Sequence, residues 1–169
     1  AFEHFAPPDP AVLELGCSSG RHLAHLREQG YETLTGVDIN DESFEVMADH
    51  YPELAETGTF HAAPIEEFVP TVPDDAFDVV YSVETLQHVH PDDEWLFAEL
   101  PRITDDLLIT AENEGNGPTR GRGDHEVSCV NDEFPLYHRD WKAVFGNLGL
   151  AQLLCEPTKR DTVRVFRAP

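Results

Sequence analysis

The chain has 169 residues, enough for one domain with a substantial core, and 40% of them are hydrophobic, which is typical of a folded rather than a disordered protein. It carries 33 acidic and 11 basic residues, a formal net charge of -22. This charge disfavours binding to nucleic acid and to anionic membranes. No apolar run approaches the ~18 residues that a membrane span requires, so we expect a soluble protein.

The acidic residues are spread along the whole chain, and this leaves two explanations for the charge. One is a surface that repels anions; the other is adaptation to molar salt, which screens charges to within ~3 Å. We favour the second and expect a halophilic host. Cys17, Cys129 and Cys155 are odd in number and far apart, which argues against a disulfide scaffold and favours a cytoplasmic location.

Strand and helix patterns alternate along the chain. Apolar, β-branched runs predict strands at residues 11–16, 33–39, 59–63, 77–83 and 107–110. Helical spacing predicts helices at residues 21–29, 41–51, 65–69, 92–103 and 139–148. Two final strands, at residues 151–155 and 162–166, flank a turn and suggest an antiparallel pair.

Two segments lie outside this pattern. Residues 1–10 precede the first strand and are expected to form a tail. Residues 112–130 contain five Gly or Pro residues and little periodicity, which predicts a loop. Together with the residues up to 134 they form the only segment long enough for a lid.

Alternating strands and helices favour a mostly parallel sheet that is covered on both faces. We therefore predict a single α/β domain of residues 1–169, with a doubly wound, Rossmann-like, mostly parallel sheet and an antiparallel C-terminal strand pair. Ligands of such sheets bind beyond the carboxyl ends of the strands, where the strand order reverses. The site is expected at the turns that follow the first four strands.

The turn after the first strand, residues 14–20, has the sequence Glu-Leu-Gly-Cys-Ser-Ser-Gly. Gly16 and Gly20 let the backbone approach a ligand closely, and the next helix directs its N-terminus toward that space. About twenty residues further on, the second strand ends at Asp38. A carboxylate at this position can accept hydrogen bonds from both ribose hydroxyls, so the two elements indicate nucleoside recognition.

Two other kinds of glycine turn fit less well. A dinucleotide site requires Gly-x-Gly-x-x-Gly, and Ser18 occupies the place of the second glycine. Residues 16–20 match the Gly-x-Ser-x-Gly elbow of hydrolases literally, but that elbow follows several strands, whereas only 15 residues precede Gly16.

The third possibility is a family resemblance. Residues 12–20 resemble the first motif of the class I S-adenosylmethionine-dependent methyltransferases, with Ser18 in place of the middle glycine. Residues 36–39 are similar to the second motif, residues 77–82 to the fourth strand, and residues 86–89 to the Leu-x-His segment of small-molecule methyltransferases. The four motifs follow the family order across nearly the whole chain. An unrelated α/β domain with a glycine-ended strand is the alternative.

The resemblance implies that S-adenosylmethionine is the cofactor. The implied cofactor-binding residues are Glu14, Gly16, Cys17, Ser18, Gly20, Asp38, Ile39, Ala63, Ile65 and Val83. The turn residues would line the methionine end, with Glu14 ordering the loop near the amino group. Asp38 would take the ribose, and Ile39 would lie against the adenine.

The family often has an acid after the third strand that meets the adenine amino group, and residues 62–65 (Ala-Ala-Pro-Ile) lack it. Backbone groups around Ala63 and Ile65 are expected to serve instead. Glu66 and Glu67 are expected on a solvated helix face.

Methyl transfer needs alignment of the two reactants, and a base only when the acceptor must lose a proton. The candidates for catalysis are Glu84, His88, His125 and Tyr137. Glu84 could instead face water or cap the next turn, His88 could pack over the cofactor, and the other two could be surface residues.

Two groups of potential metal ligands also occur. His88 and His90 stand near two aspartates, and His125 stands near Asp124 and Cys129. Neither group has paired Cys-x-x-Cys spacing, so the sequence predicts no functional metal.

Two functions remain open. The first is a methyltransferase that acts on a small molecule, favoured because the segment after the fourth strand lacks the Asn-Pro-Pro-Tyr type of motif and no basic, aromatic-interleaved patch is present. Nucleic-acid and membrane partners are not expected. The second is a non-catalytic partner or regulator that binds S-adenosylmethionine or S-adenosylhomocysteine.

Overall fold

The computed structural model describes residues 2–115, 126–130 and 134–169. Its strands are β1 (Val12–Leu15), β2 (Leu34–Asp38), β3 (Thr59–Ala62), β4 (Phe77–Val83), β5 (Thr104–Glu112), β6 (Glu126–Val130), β7 (Phe134–His138), β8 (Ala151–Pro157) and β9 (Thr162–Arg167). Its α-helices are α1 (Phe2–Phe5), α2 (Arg21–Glu28), α3 (Glu42–His50), α4 (Pro52–Thr57), α5 (Ile65–Phe68), α6 (Leu96–Ile103) and α7 (Trp141–Asn147). Short 3-10 helices cover Val69–Thr71, Leu86–His88 and Pro91–Asp93.

Seven strands form one sheet in the order β3-β2-β1-β4-β5-β9-β8. The pairs from β3 to β5 are parallel, whereas β9 runs antiparallel to both β5 and β8. This arrangement confirms the predicted Rossmann-like sheet with its antiparallel C-terminal pair. The strand order reverses between β1 and β4, so the ends of these strands flank the position at which doubly wound sheets bind ligands.

The central strands are buried on both faces, which explains their nearly continuous apolar sequences. Successive side chains of a strand point to opposite faces, and here they enter two separate cores. Leu13 packs in the core covered by α5, α6 and α7, while Val12 packs in the core covered by α2, α3 and α4. The two layers of helices hold β1 rigidly, and with it the turn that begins at Gly16.

The loop expected at residues 112–130 is wrong in part, whereas the lid expected at residues 112–134 stays a prediction, because much of that segment lies outside the described residues. Glu112 is the last residue of β5, and β6 pairs antiparallel with β7 in a second, two-stranded sheet. The alternating residues of 126–130 carry a strand pattern, but it is short, and its partner strand contains Pro135. Proline is tolerated in a strand at the edge of a sheet. Whether a strand lies at an edge depends on how the strands pair, and neither segment shows this alone.

Three helix boundaries also differ from prediction. The residue pair Tyr51-Pro52 begins a helix, α4, as well as ending one, because proline is favoured in the first turn. The helix expected from residue 92 begins at Leu96, after a 3-10 turn, and Trp95 is 46% exposed. The helix expected to reach residue 148 ends at Asn147, and Leu148 beyond it is 37% exposed. Among the described residues, no helix combines the length and apolarity needed to span a membrane.

Candidate functional site

A cavity of about 770 Å³ opens where the carboxyl ends of β1 to β4 meet. Each of the four following turns contributes to its wall. The lining residues are Gly16, Cys17, Ser18, Ser19, Arg21, His22, Asp38, Ile39, Pro64, Ile65, Glu66, Val83, Glu84, Thr85, His88 and Val89. This is the edge of the sheet at which the sequence predicts a ligand.

The turn after β1 alternates between ordinary and left-handed backbone. Gly16, Ser18 and Gly20 have φ angles of 70°, 46° and 75°. Glycine adopts this conformation freely, whereas other residues pay roughly 1–2 kcal/mol for it. The three-glycine pattern therefore has a backbone cause, and Ser18 occupies its middle position at some cost in strain.

The two glycines of this turn have different neighbours. A Cβ at Gly16 would lie 2.1 Å from Thr85 Oγ1, so this glycine allows the turn after β4 to approach the turn after β1. A Cβ at Gly20 would lie 2.7 Å from Met47 Cε, in the core between α2 and α3. Gly20 does not line the cavity, and its small size serves helix packing.

Asp38 joins the first two turns. Its Oδ2 accepts a hydrogen bond of 2.7 Å from Ser18 N, and its Oδ1 accepts one of 2.9 Å from Asn40 N. Each carboxylate oxygen can accept a further bond. The glycine turn and the end of β2 therefore converge on one carboxylate at the cavity wall.

Glu14 acts on the cavity indirectly. It is 1% exposed, does not line the cavity, and shares a 2.8 Å hydrogen bond with Nδ1 of His22, which does. Burial raises the pKa of Glu14 above its ordinary value, although the hydrogen bond to His22 opposes this. Glu14 thus orients His22 at the start of α2, next to Arg21 on the same wall.

Apolar side chains also line the cavity. Ile39 is 73% exposed and lies on the cavity wall together with Ile65. Glu66 also lines the cavity and is half-buried, so its expected place on a solvated face is wrong, whereas Glu67 is exposed. Ala63 packs against the core and does not line the cavity, and its N–H donates to Asp38 O.

The candidates for catalysis separate clearly. Glu84 and His88 line the cavity, and Glu84 forms an ion pair with Arg160. Tyr137 does not line this cavity, and its ring contacts His90 instead. His125 lies outside the described residues.

A buried carboxylate that the sequence did not single out braces the turn after β4. Glu112 is 0% exposed; its Oε1 accepts from Ser82 Oγ at 2.5 Å and from the N–H groups of Thr85 and Leu86, and its Oε2 accepts from Gln87 N. Burial raises the pKa of Glu112 to about 7, and these hydrogen bonds oppose the rise. Glu112 positions the segment that carries His88.

Potential metal ligands do not converge: among residues 2–115, 126–130 and 134–169, no group of three or more His, Cys, Asp or Glu side chains could hold an ion. The thiol of Cys17 is buried against Gly36, and burial raises its pKa, so it is not a reactive nucleophile.

Residues 13–106 match the family model of a methyltransferase domain. A ubiquinone biosynthesis O-methyltransferase from Actinobacillus pleuropneumoniae is 32% identical over 81 residues, which are 46% of this chain and 34% of that protein. An O-methyltransferase from Pyrenophora dematioidea is 24% identical over 83 residues, 49% of this chain. The chain spans about a third of the length of these curated relatives.

Solved structures share the fold over nearly the whole chain. An S-adenosylmethionine-dependent methyltransferase from Methanosarcina mazei superposes with a TM-score of 0.78 at 18% identity, covering 98% of this chain and 95% of that one. The 1,6-didemethyltoxoflavin-N1-methyltransferase of Burkholderia thailandensis, solved with S-adenosylhomocysteine, superposes with a TM-score of 0.74 at 19% identity, covering 94% and 71%.

The family match includes β1, the glycine turn, β2 and β4, and extends to the start of β5. These are the elements that form the cavity. S-adenosylmethionine, the cofactor that the family resemblance implies, is the one that this match supports. The chain belongs to the methyltransferase domain family, with the class I, Rossmann-like fold.

Proposed function

We propose that this protein transfers a methyl group from S-adenosylmethionine to a small-molecule acceptor. The observation that carries the proposal is the hydrogen bond between Ser18 N and Asp38, because it unites the glycine turn and the ribose-type carboxylate at the wall of one cavity. A cavity of about 770 Å³ is within the range of roughly 300–1,000 Å³ that is typical of small-molecule and cofactor sites.

The residues present suit each part of S-adenosylmethionine. Asp38 would accept the ribose hydroxyls, and the exposed side chain of Ile39 would lie against the adenine. Arg21 is a cation on the cavity wall at the start of α2, and it would attract the methionine carboxylate. Glu66 lies next to Ile65 on the wall and would accept a hydrogen bond from the adenine amino group.

The cofactor would supply an activated methyl group. The chain's own residues would hold and align it: the turn between Gly16 and Ser19 forms one wall, and the Glu112-braced turn at Thr85 forms another. Alignment of two reactants and exclusion of water can provide most of the catalysis in such a transfer.

Three observations support a small-molecule acceptor. A second cavity, of about 520 Å³, shares Glu84 and His88 with the first. The net charge of -22 opposes the binding of nucleic acid. Two of the similar proteins have names that include a small molecule. One name refers to the biosynthesis of ubiquinone, and the other refers to 1,6-didemethyltoxoflavin.

Calorimetric titration tests the binding half of this proposal. The wild-type protein in high salt is expected to bind S-adenosylmethionine and S-adenosylhomocysteine, and Asp38→Ala is expected to lose ~1–3 kcal/mol of binding free energy with the lost charge-assisted hydrogen bonds. Asp41→Ala is the matched control, since Asp41 is exposed and outside the cavity wall. Equal affinities of the two variants would contradict the assignment of Asp38.

Turnover is tested separately, by supplying methyl-labelled S-adenosylmethionine with a metabolite extract. We expect label in small molecules. Label in macromolecules would refute the proposed acceptor class, and binding without transfer would favour the non-catalytic function considered from the sequence.

A further inference from the structure

The second cavity lies next to the first and has a mixed wall. Phe134, Pro135 and Leu136 of β7 form its apolar side, and Gln87 and Asn113 supply amide groups. Phe134 is 59% exposed and presents a large apolar surface at this wall. The volume of the second cavity, about 520 Å³, is ample for a molecule of one or two rings.

The charges at this cavity largely cancel. Glu84 and Arg160 both line it and form an ion pair with one another. A wall of this kind does not select a strongly charged ligand; it favours an uncharged molecule with an apolar face and hydrogen-bonding groups at its edge.

His88 stands at the junction, because its side chain lines both cavities. Nδ1 of His88 lies 3.0 Å from the carbonyl oxygen of Pro135. A carbonyl oxygen can only accept a hydrogen bond, so Nδ1 must carry the proton. A neutral imidazole has one N–H, and its other nitrogen, Nε2, is therefore an unprotonated base.

Two elements hold this imidazole. Glu112 accepts hydrogen bonds from Leu86 N and Gln87 N and thereby positions the 3-10 helix that carries His88, while β7 holds the ring through Pro135. Glu84, the other titratable residue shared by the two cavities, is engaged by Arg160. His88 is thus the shared residue with a basic atom left for chemistry.

We propose that the second cavity binds the methyl acceptor and that Nε2 of His88 accepts the proton of an acceptor hydroxyl, so that the reaction is O-methylation of an uncharged phenol or enol. This inference rests on the proposed function. A hydroxyl oxygen is a weak nucleophile until its proton is removed, whereas a neutral amine attacks through its own lone pair; a fixed base therefore favours a hydroxyl acceptor.

The reaction is balanced without a further reactant. The O–H electron pair stays on oxygen as the proton passes to Nε2, the new O–CH₃ bond forms, and the broken C–S bond leaves its electron pair on sulfur, giving S-adenosylhomocysteine. The imidazolium of His88 then releases its proton to water, since the side chain is exposed.

The tautomer is tested directly by long-range proton–nitrogen correlation spectra of the isotope-labelled protein, at a pH where His88 is neutral. We expect the proton of His88 on Nδ1. A proton on Nε2 would overturn the assignment, whatever the activity of the enzyme.

The chemistry is tested with His88→Gln and, as matched control, His90→Gln, because His90 lies two residues away and lines neither cavity. At saturating S-adenosylmethionine, His88→Gln is expected to lower kcat by roughly 100- to 10,000-fold, as the loss of a general base does, and His90→Gln is expected to leave it unchanged. Equal effects of the two substitutions would overturn the role of His88.

The acceptor class is tested by the carbon chemical shift of the methyl group transferred to extract metabolites. Oxygen-linked methyl groups are expected. Methyl groups on nitrogen, carbon or sulfur alone, or no labelled product, would overturn the acceptor class. Methyl groups on nitrogen, carbon or sulfur of small molecules leave the proposed function standing. Labelled macromolecules, or no labelled product although the wild type binds S-adenosylhomocysteine, would overturn the proposed function as well.

Discussion

The substitution Glu112→Gln tests whether a buried carboxylate organises the turn that carries His88. Glu112 accepts four hydrogen bonds, three of them on Oε1 and one, from Gln87 N, on Oε2. Glutamine keeps the shape and can keep an oxygen on the first three donors. Its amide group then faces the N–H of Gln87, and two opposed donors in a buried site cost about 1–3 kcal/mol.

The cost is expected to depend on pH. Burial raises the pKa of Glu112 from 4.5 to about 7, so the folded protein holds this proton more tightly than the unfolded chain does. Stability from this group is fully present below about pH 4.5 and is lost as the pH rises through about 7, and the whole change amounts to roughly 3 kcal/mol. Glutamine does not titrate, so the stability difference between wild type and Glu112→Gln should shrink as the pH rises.

Urea unfolding followed by tryptophan fluorescence measures this difference, at several values between about pH 5 and about pH 8. Trp141 is 0% exposed and reports on the core. Glu56→Gln is the control. Because Glu56 is exposed, this variant and the wild type should differ little in stability at every pH. A difference for Glu112→Gln that stays constant, or that grows with pH, would refute the reasoning.

The remaining predictions concern the glycine turn and the charge. Gly16→Ala should destabilise the fold by several kcal/mol in thermal unfolding, because its Cβ would meet Thr85 at 2.1 Å; Gly30→Ala has a similar φ with nothing within 4 Å, and an equal loss there would contradict the packing argument. Ser18→Gly removes a left-handed serine and should raise stability by up to about 1 kcal/mol with cofactor affinity retained; a large loss of affinity would show that the hydroxyl binds. We propose that the net charge of -22 reflects a saline host, so the melting temperature should rise from low to molar KCl, more than it does in an uncharged solute of equal osmolarity; a flat response would remove this explanation.

The sheet could be predicted because its signals are local. The runs that form β1, β2 and β4 are apolar and β-branched, and their alternation with helices leaves few topologies. The hairpin of β6 and β7 could not be predicted in this way. Its two strands are short, and one of them contains Pro135. Their stability comes from the antiparallel pairing of β6 with β7, which neither segment reveals alone.

The candidate site shows the same division. The positions of Gly16 and Asp38 follow from the motif and the strand order, whereas the role of Gly20 depends on Met47, which is 27 residues further along the chain and is brought to it by the packing of α3. Arg21 and His22 line the cavity because α2 begins immediately after the turn. Their position in the first turn of the predicted helix could have identified them as cavity residues from the sequence.

Glu112 gave no signal that the sequence alone could resolve. It ends β5 in a chain with 33 acidic residues, and nothing nearby in sequence marks it as buried. Its importance arises because β5 lies next to β4 in the sheet, which brings the carboxylate under residues 85–87. Long-range pairing of strands, rather than local preference, creates this contact.

We infer that the turn at Gly16 and the carboxylate of Asp38 hold one nucleoside between them. A crystal structure with S-adenosylhomocysteine decides this. We expect density in the cavity between β1 and β4, with both ribose hydroxyls on Asp38 and the adenine against Ile39. Density elsewhere, or an empty cavity at saturating ligand, would contradict it.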